Sequence, residues 1–129
     1  MVADAETREE ILLVLGEFRA AVAERRLEGA LHLFAPDADA TLIGSSLGEI
    51  ARGPLEIRSF LEGIFARPQS ISWEWDDVSI SAAGDVAWLW LEGALALDGR
   101  SERAYRISGV LERRQGRWVW CVFHGSEPS

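Results

Sequence analysis

The sequence predicts an α+β domain in which helices come first and antiparallel strands follow. Three observations predict it. Apolar residues recur at helical spacing through the first half of the chain. From Ser70 onward the spacing changes to alternation. The alternating runs are joined by short turn signals, of which Asp98-Gly99 is the strongest. Helices followed by consecutive strands define the α+β class.

The first helix opens at Thr7-Arg8-Glu9-Glu10, which has the form of a capping box, and Ile11, Leu15, Phe18 and Val22 form its apolar stripe. Arg25-Arg26 interrupts the stripe. A short second helix over residues 27–35 presents Leu27, Leu31 and Phe34 and stops at Pro36-Asp37. Residues 40–43 and 49–51 read as two short strands around Gly44-Ser45-Ser46-Leu47-Gly48. Pro54 opens a third helix, where its missing N–H is not needed, and Arg67-Pro68 ends it. Residues 70–81, 85–97, 101–113 and 117–124 then read as the four long strands of an antiparallel meander.

The chain has 129 residues, enough for one domain that buries roughly two-thirds of its unfolded surface. No repeat and no Pro/Ser/Gly-rich linker divides it, so residues 1–129 are expected to form a single domain. No apolar run approaches the ~18 residues of a membrane span. The first ten residues are acidic and polar and lack the pattern of a secretory signal. Cys121 is the only cysteine, which excludes an internal disulfide and a cysteine-based zinc site, and a cytoplasmic location is expected. The formal net charge of −8 opposes binding to a phosphate backbone. Arg113, Arg114 and Arg117 flank Gln115-Gly116 and read as a solvated hairpin tip rather than a nucleic-acid patch.

Two-residue turns at Asp98-Gly99 and Gln115-Gly116 propose a register: Leu91 opposite Arg106, Leu89 opposite Ser108, Ser108 opposite Phe123, and Asp76 opposite Leu91. One face then carries Trp73, Trp75, Trp88, Trp90, Trp118 and Trp120, with Glu92, Tyr105, Ile107 and His124. The other carries Val78, Ile80, Ala87, Leu89, Leu91, Val110, Val119, Cys121 and Phe123, with Arg106, Ser108 and Asp76 among them. Both faces are too apolar for water, and three helices can cover only one. The expectation is a homodimer formed through the tryptophan face, with the smaller-residue face under the helices. In the opposite assignment the tryptophans line the pocket, since periodicity does not say which face the helices cover.

Several phrases in order carry a family resemblance: Leu33-Phe34-Ala35-Pro36-Asp37-Ala38, Arg52-Gly53-Pro54-Leu55-Glu56-Ile57, Gly84-Asp85-Val86-Ala87, Gly109-Val110-Leu111-Glu112-Arg113, and the closing Gly116-Arg117-Trp118 through His124-Gly125-Ser126. The chain resembles the nuclear transport factor 2-like superfamily, which includes SnoaL-like cyclases and ketosteroid isomerases. The resemblance implies a cone-shaped curved antiparallel sheet packed on three N-terminal helices and enclosing a pocket. It does not imply one function, because the fold hosts many. The isomerases of this superfamily use a carboxylate base with a tyrosine and a protonated aspartic acid as oxyanion donors. The matching positions here are Leu42, Phe18 and Ser108, none of which carries the needed group, so that mechanism is rejected. The resemblance also places Ser108, Cys121 and Phe123 on the pocket side.

Arg106 with Asp76 is the main candidate constellation. Arg106 could hold a carboxylate or other anion by its fork of donors, with Ser108 adding a hydrogen bond, or it could form a structural ion pair with Asp76 or Glu74. His124 could act as a general base or sit at the dimer interface. Asp37 is either a carboxylate at the pocket mouth or a turn residue bonding its own backbone. Gly44-Ser45-Ser46-Leu47-Gly48 matches the spelling of a nucleophile elbow, but a strand follows it where the elbow needs a helix, so it reads as a hairpin loop. Cys121 reads as a core thiol, and His32 and His124 offer no metal spacing. No cofactor motif is present. The leading expectation is a small-molecule-binding domain with pocket walls Phe18, Phe34, Leu42, Phe60, Ile64, Leu89, Leu91, Val110 and Phe123, and an anion contact at Arg106. Two alternatives are an enzyme of cyclase, dehydratase or hydrolase type using Asp37, Asp76 or His124, and an oligomerisation module. The latter rests on the closing strands, which resemble the association domain of calcium/calmodulin-dependent protein kinase II.

Overall fold

The structure is a computed structural model that describes residues 1–128. Three helices, α1 (Ala5–Ala23), α2 (Leu27–Leu31) and α3 (Gly53–Phe65), pack against one curved sheet. The strands are β1 (Thr41–Ile43), β2 (Ile50–Arg52), β3 (Ile71–Glu74), β4 (Ser79–Ala83), β5 (Val86–Leu97), β6 (Arg100–Arg114) and β7 (Arg117–Ser126). Their order is β2-β1-β7-β6-β5-β3, with β4 also on β5. All pairs are antiparallel except β1 with β7, so the sheet is mixed rather than wholly antiparallel as expected.

Asp4, not Thr7, caps α1: its carboxylate accepts from the Thr7 backbone N–H at 2.8 Å, and Thr7 lies in the first turn of the helix. Ile11, Leu15, Phe18 and Val22 are all buried, as the stripe requires. The helical part of the second element ends at Leu31, because Leu33 and Ala35 turn to bond the backbone of Trp120 in β7. Pro54 sits in the first turn of α3 as expected.

The last two hairpin turns fall where the sequence puts them, whereas the turn before β5 lies at Gly84-Asp85 rather than at residues 82–84. Asp98, Gly99, Gln115 and Gly116 all have positive φ, as two-residue turns with the twist of the flanking strands demand. Beyond the turns the expected register fails in two places. β6 carries one extra residue where the pairing steps from Ala96↔Ser101 to Leu95↔Arg103, and β7 carries one extra residue, Cys121, between Leu111↔Trp120 and Val110↔Val122. Each bulge shifts everything beyond it by one residue and bends the sheet. Leu91 is therefore opposite Ile107, Glu92 opposite Arg106, and Ser108 opposite His124.

The tryptophans consequently do not share a face. Trp73, Trp118 and Trp120 are buried in the core, Trp75 is half-buried beneath the Arg19 guanidinium, and Trp88 and Trp90 lie on the outer face. Residues 70–81 were expected as one strand, but they break at Asp76-Asp77 into β3 and β4, which frees Trp73 to turn inward against Leu95. Leu89, Leu91, Ile107, Leu111 and Phe123 complete the inner face. The core centres on Phe18, whose ring stacks on Trp73 at 5.7 Å and meets Phe123 at 5.0 Å. No helix among the described residues is long and apolar enough to cross a membrane.

Candidate functional site

A cavity of about 250 Å³ lies between the inner sheet face, α1 and α3. Its walls include Phe18, Val22, Leu42, Phe60, Leu61, Ile64, Trp73, Leu95, Tyr105 and Phe123. Phe18, Leu42, Phe60, Ile64 and Phe123 are thus placed on the cavity as the sequence predicts. Phe34, Leu89, Leu91 and Val110 are not: Phe34, Leu89 and Leu91 are buried in the packed core, and Val110 is half-buried on the other sheet face.

The polar groups at this cavity are Ser45, Ser46, Glu49, Arg67, Arg103, Tyr105 and Glu127. Ser45 and Ser46 belong to the loop between β1 and β2. That loop is a hairpin connection, closed by Gly44 N–H on the Glu49 carbonyl at 2.7 Å, and not a nucleophile elbow. The Glu49 carboxylate accepts from the Ser46 N–H at 2.9 Å. Arg103 is held by Glu127 at 3.1 Å.

Tyr105 is the most distinctive polar side chain on the wall. It is only 9% exposed, and burial, above all, pushes its hydroxyl up to about 12, with Glu127 and Glu49 adding to the effect and Ser45 opposing it. At neutral pH the hydroxyl keeps its proton and can donate it. Trp73 adds an aromatic wall, and its indole Nε1 is buried with no hydrogen-bond partner.

Arg106 and Ser108 do not reach this cavity. The bulge in β6 turns both to the outer face, where Arg106 pairs with Glu92 at 3.1 Å rather than with Asp76 or Glu74. They share a shallow outer depression with Trp90 and His124. The expected anion contact at Arg106 is therefore corrected: that guanidinium is more than half exposed and lies opposite the cavity. Asp76 is exposed on a wide outer cleft of about 740 Å³ lined by Trp75, Trp90 and Glu92. Asp37 is drawn to Arg114, which holds its carboxyl below the usual range, and it also bonds the Asp39 N–H as a turn residue does. No two of Asp37, Asp76 and Arg106 are brought together.

Arg103, Glu49 and Glu127 escaped the sequence reading, and Trp73 and Tyr105 were expected on the dimer face, with the tryptophans at the pocket only in the opposite assignment. A signal was present in Gly93, Gly109 and Gly125. Glycine inside strand patterns marks bulges and close approach. Here Gly93 is opposite Tyr105, and Gly125 lies beneath its ring. Two of the arginines near the last hairpin are paired with carboxylates, and the third is tied to backbone: Arg113 bonds Asp85 and covers Trp118, Arg114 bonds Asp37 and Glu112, and Arg117 donates to the His32 carbonyl. Among the described residues no group of three His, Cys, Asp or Glu side chains could hold a metal ion.

Residues 11–129 match the family profile of the SnoaL-like domain, and the chain belongs to that family. No curated protein matches the sequence. The fold is shared with solved structures. An NTF2-like protein of unknown function from Pseudomonas putida KT2440 is 18% identical, with 97% of this chain and 89% of that one covered and a TM-score of 0.84. A candidate dehydratase of the NTF2-like family from Streptomyces avermitilis is 19% identical, with 98% and 99% covered and a TM-score of 0.83. A protein from Thiobacillus denitrificans ATCC 25259, described as a candidate calcium/calmodulin-dependent protein kinase type II association domain, is 17% identical, with 90% and 93% covered and a TM-score of 0.75. At these identities the likeness is one of fold.

Proposed function

We propose that this SnoaL-like domain binds a small, mainly apolar molecule in the cavity between α1, α3 and the sheet, with Tyr105 as the hydrogen-bond donor at its polar end. The observation that carries the reading is an aromatic-walled cavity holding one buried, protonated hydroxyl. Apolar walls with a few convergent polar groups are the usual make-up of a ligand site. A binding role fits better than acid–base catalysis through Asp37, Asp76 or His124, because none of the three lines the cavity. The single free thiol favours a cytoplasmic setting.

Native mass spectrometry of the freshly purified protein tests this, with Ile64→Trp as a variant that fills the cavity from its half-buried wall. A discrete extra mass in the parent that Ile64→Trp loses supports the reading. An extra mass that Ile64→Trp keeps sinks it.

We propose in addition that the outer sheet face seats a second copy of this chain. Trp88 is 41% exposed and Trp90 57%, with half-buried Val110, Val122 and His124 beside them. Large aromatics side by side on a sheet are unusual in water. Glu92 and Arg106 on the same face neutralise each other, so two chains of net charge −8 can approach there without like-charge repulsion. Only Trp88 and Trp90 of the six expected tryptophans contribute. Sedimentation velocity should show a dimer that Trp90→Glu converts to monomer; a monomeric parent chain would refute the proposal.

A further inference from the structure

We propose that the cavity selects an uncharged oxygen, a hydroxyl or carbonyl on a body of one or two rings, and rejects a carboxylate of the same shape. This rests on the cavity being a ligand site. The volume of about 250 Å³ falls below the roughly 300–1,000 Å³ of sites for drug-sized molecules, which limits the body to one ring or a fused pair. The aromatic walls of Phe18, Trp73 and Phe123 suit a flat ring.

The charge arrangement decides the polar end. Tyr105 can donate to an acceptor oxygen, and the charged groups acting on its hydroxyl are the carboxylates of Glu127 and Glu49. Arg103 pairs with Glu127 at 3.1 Å, so those two charges largely cancel and Arg103 is not free for a ligand. Glu49 is the half-buried carboxylate that remains at the cavity, while Arg67 at the rim is exposed, where solvent screens its charge. A ligand carboxylate brought to the buried Tyr105 would lose part of its hydration among aromatic walls and lie beside Glu49. Glu49 is fixed in position by the Ser46 N–H, so the rim keeps its carboxylate beside the site. An uncharged acceptor takes the Tyr105 hydrogen bond without this penalty.

Isothermal titration calorimetry at pH 7 with 2-naphthol, 2-naphthoate and naphthalene tests the inference on the full chain. The expected result is that 2-naphthol binds about tenfold tighter than 2-naphthoate, and that Tyr105→Phe lowers 2-naphthol to the level of naphthalene. Glu49→Gln should raise 2-naphthoate affinity severalfold while leaving naphthalene unchanged, a response that a merely structural role for Glu49 would not give. Circular dichroism confirms that each variant is folded. If 2-naphthoate binds as tightly as 2-naphthol, or Tyr105→Phe leaves their ratio unchanged, the inference is overturned while the ligand site stands. If none of the three probes binds, or Ile64→Trp binds them all as the parent does, the ligand-site reading itself is overturned.

Discussion

Tyr105 packs against Gly125 so closely that a methyl group at position 125 would collide with the phenol ring and its hydroxyl. Gly125 is buried and adjoins β6, where it is opposite Ile107, and the space that its missing side chain leaves holds the Tyr105 ring at the cavity wall. Gly125→Ala should therefore destabilise the fold by about 1–3 kcal/mol through overpacking. It should also weaken any ligand that uses Tyr105, because the ring must move. Thermal denaturation and titration calorimetry on the same variant check both effects.

Tyr105 is the only tyrosine in the chain, so tyrosinate absorbance reads it alone. Its transition should lie near 12 in the folded protein against 10.0 for a free phenol. The folded state then holds its proton more tightly than the unfolded state. The corresponding stability is fully present below pH 10 and falls away as pH rises toward 12, by roughly 2–3 kcal/mol in all. A spectrophotometric titration with a midpoint at the free value would show that the hydroxyl is not buried in solution.

Trp118 and Trp120 are both buried in β7 but differ at the indole nitrogen. Trp118 Nε1 donates to Glu10 at 3.2 Å, whereas Trp120 Nε1 has no partner. Replacing each by Phe removes similar volume, yet only Trp118→Phe also breaks a hydrogen bond. Trp120→Phe should be the milder substitution by about 1 kcal/mol. Urea denaturation of the pair measures the difference, and equal losses would contradict the assignment of partners.

Cys121 should react slowly with alkylating agents at neutral pH. Burial pushes the thiol up to about 11, and its hydrogen bond to Glu112 at 3.5 Å adds to the shift. Glu112→Gln should speed alkylation by removing the neighbouring negative charge. Rates followed by mass spectrometry would decide, and a fast parent rate would show the thiol to be open.

Arg106→Ala should leave affinity for any cavity ligand unchanged, because Arg106 faces the opposite side of the sheet. Its exposed pair with Glu92 contributes no more than about 1 kcal/mol to stability. A loss of ligand binding in this variant would place the site on the outer face instead.

The fold was legible in the sequence because its elements are spelled locally. Pro54 opens α3, Ile11 to Val22 face one way, and Asp98-Gly99 and Gln115-Gly116 fix both long hairpins. The cavity walls contributed by helices, Phe18, Phe60 and Ile64, followed from the same periodicity. The sheet's contribution was not legible, because a period of two carries no memory of an inserted residue. One extra residue in β6 moves Arg106 and Ser108 out and Tyr105 in, and Cys121 does the same between Trp120 and Phe123. Nothing in the alternation of apolar residues distinguishes the two registers until the glycines opposite Tyr105 and beneath it are weighed.

The bulge at Cys121 sets the parity of the last strand. Upstream of it Trp118 and Trp120 point inward, and downstream Phe123 and Gly125 do, although two are even-numbered and two odd. Deleting Cys121 would leave Trp120 and Phe123 two residues apart and both still inward, with the pairings on either side kept, so that only the bend supplied by the extra residue would go. Substitutions at this position should be tolerated, because a bend made by an unpaired extra residue depends on its presence rather than on its side chain.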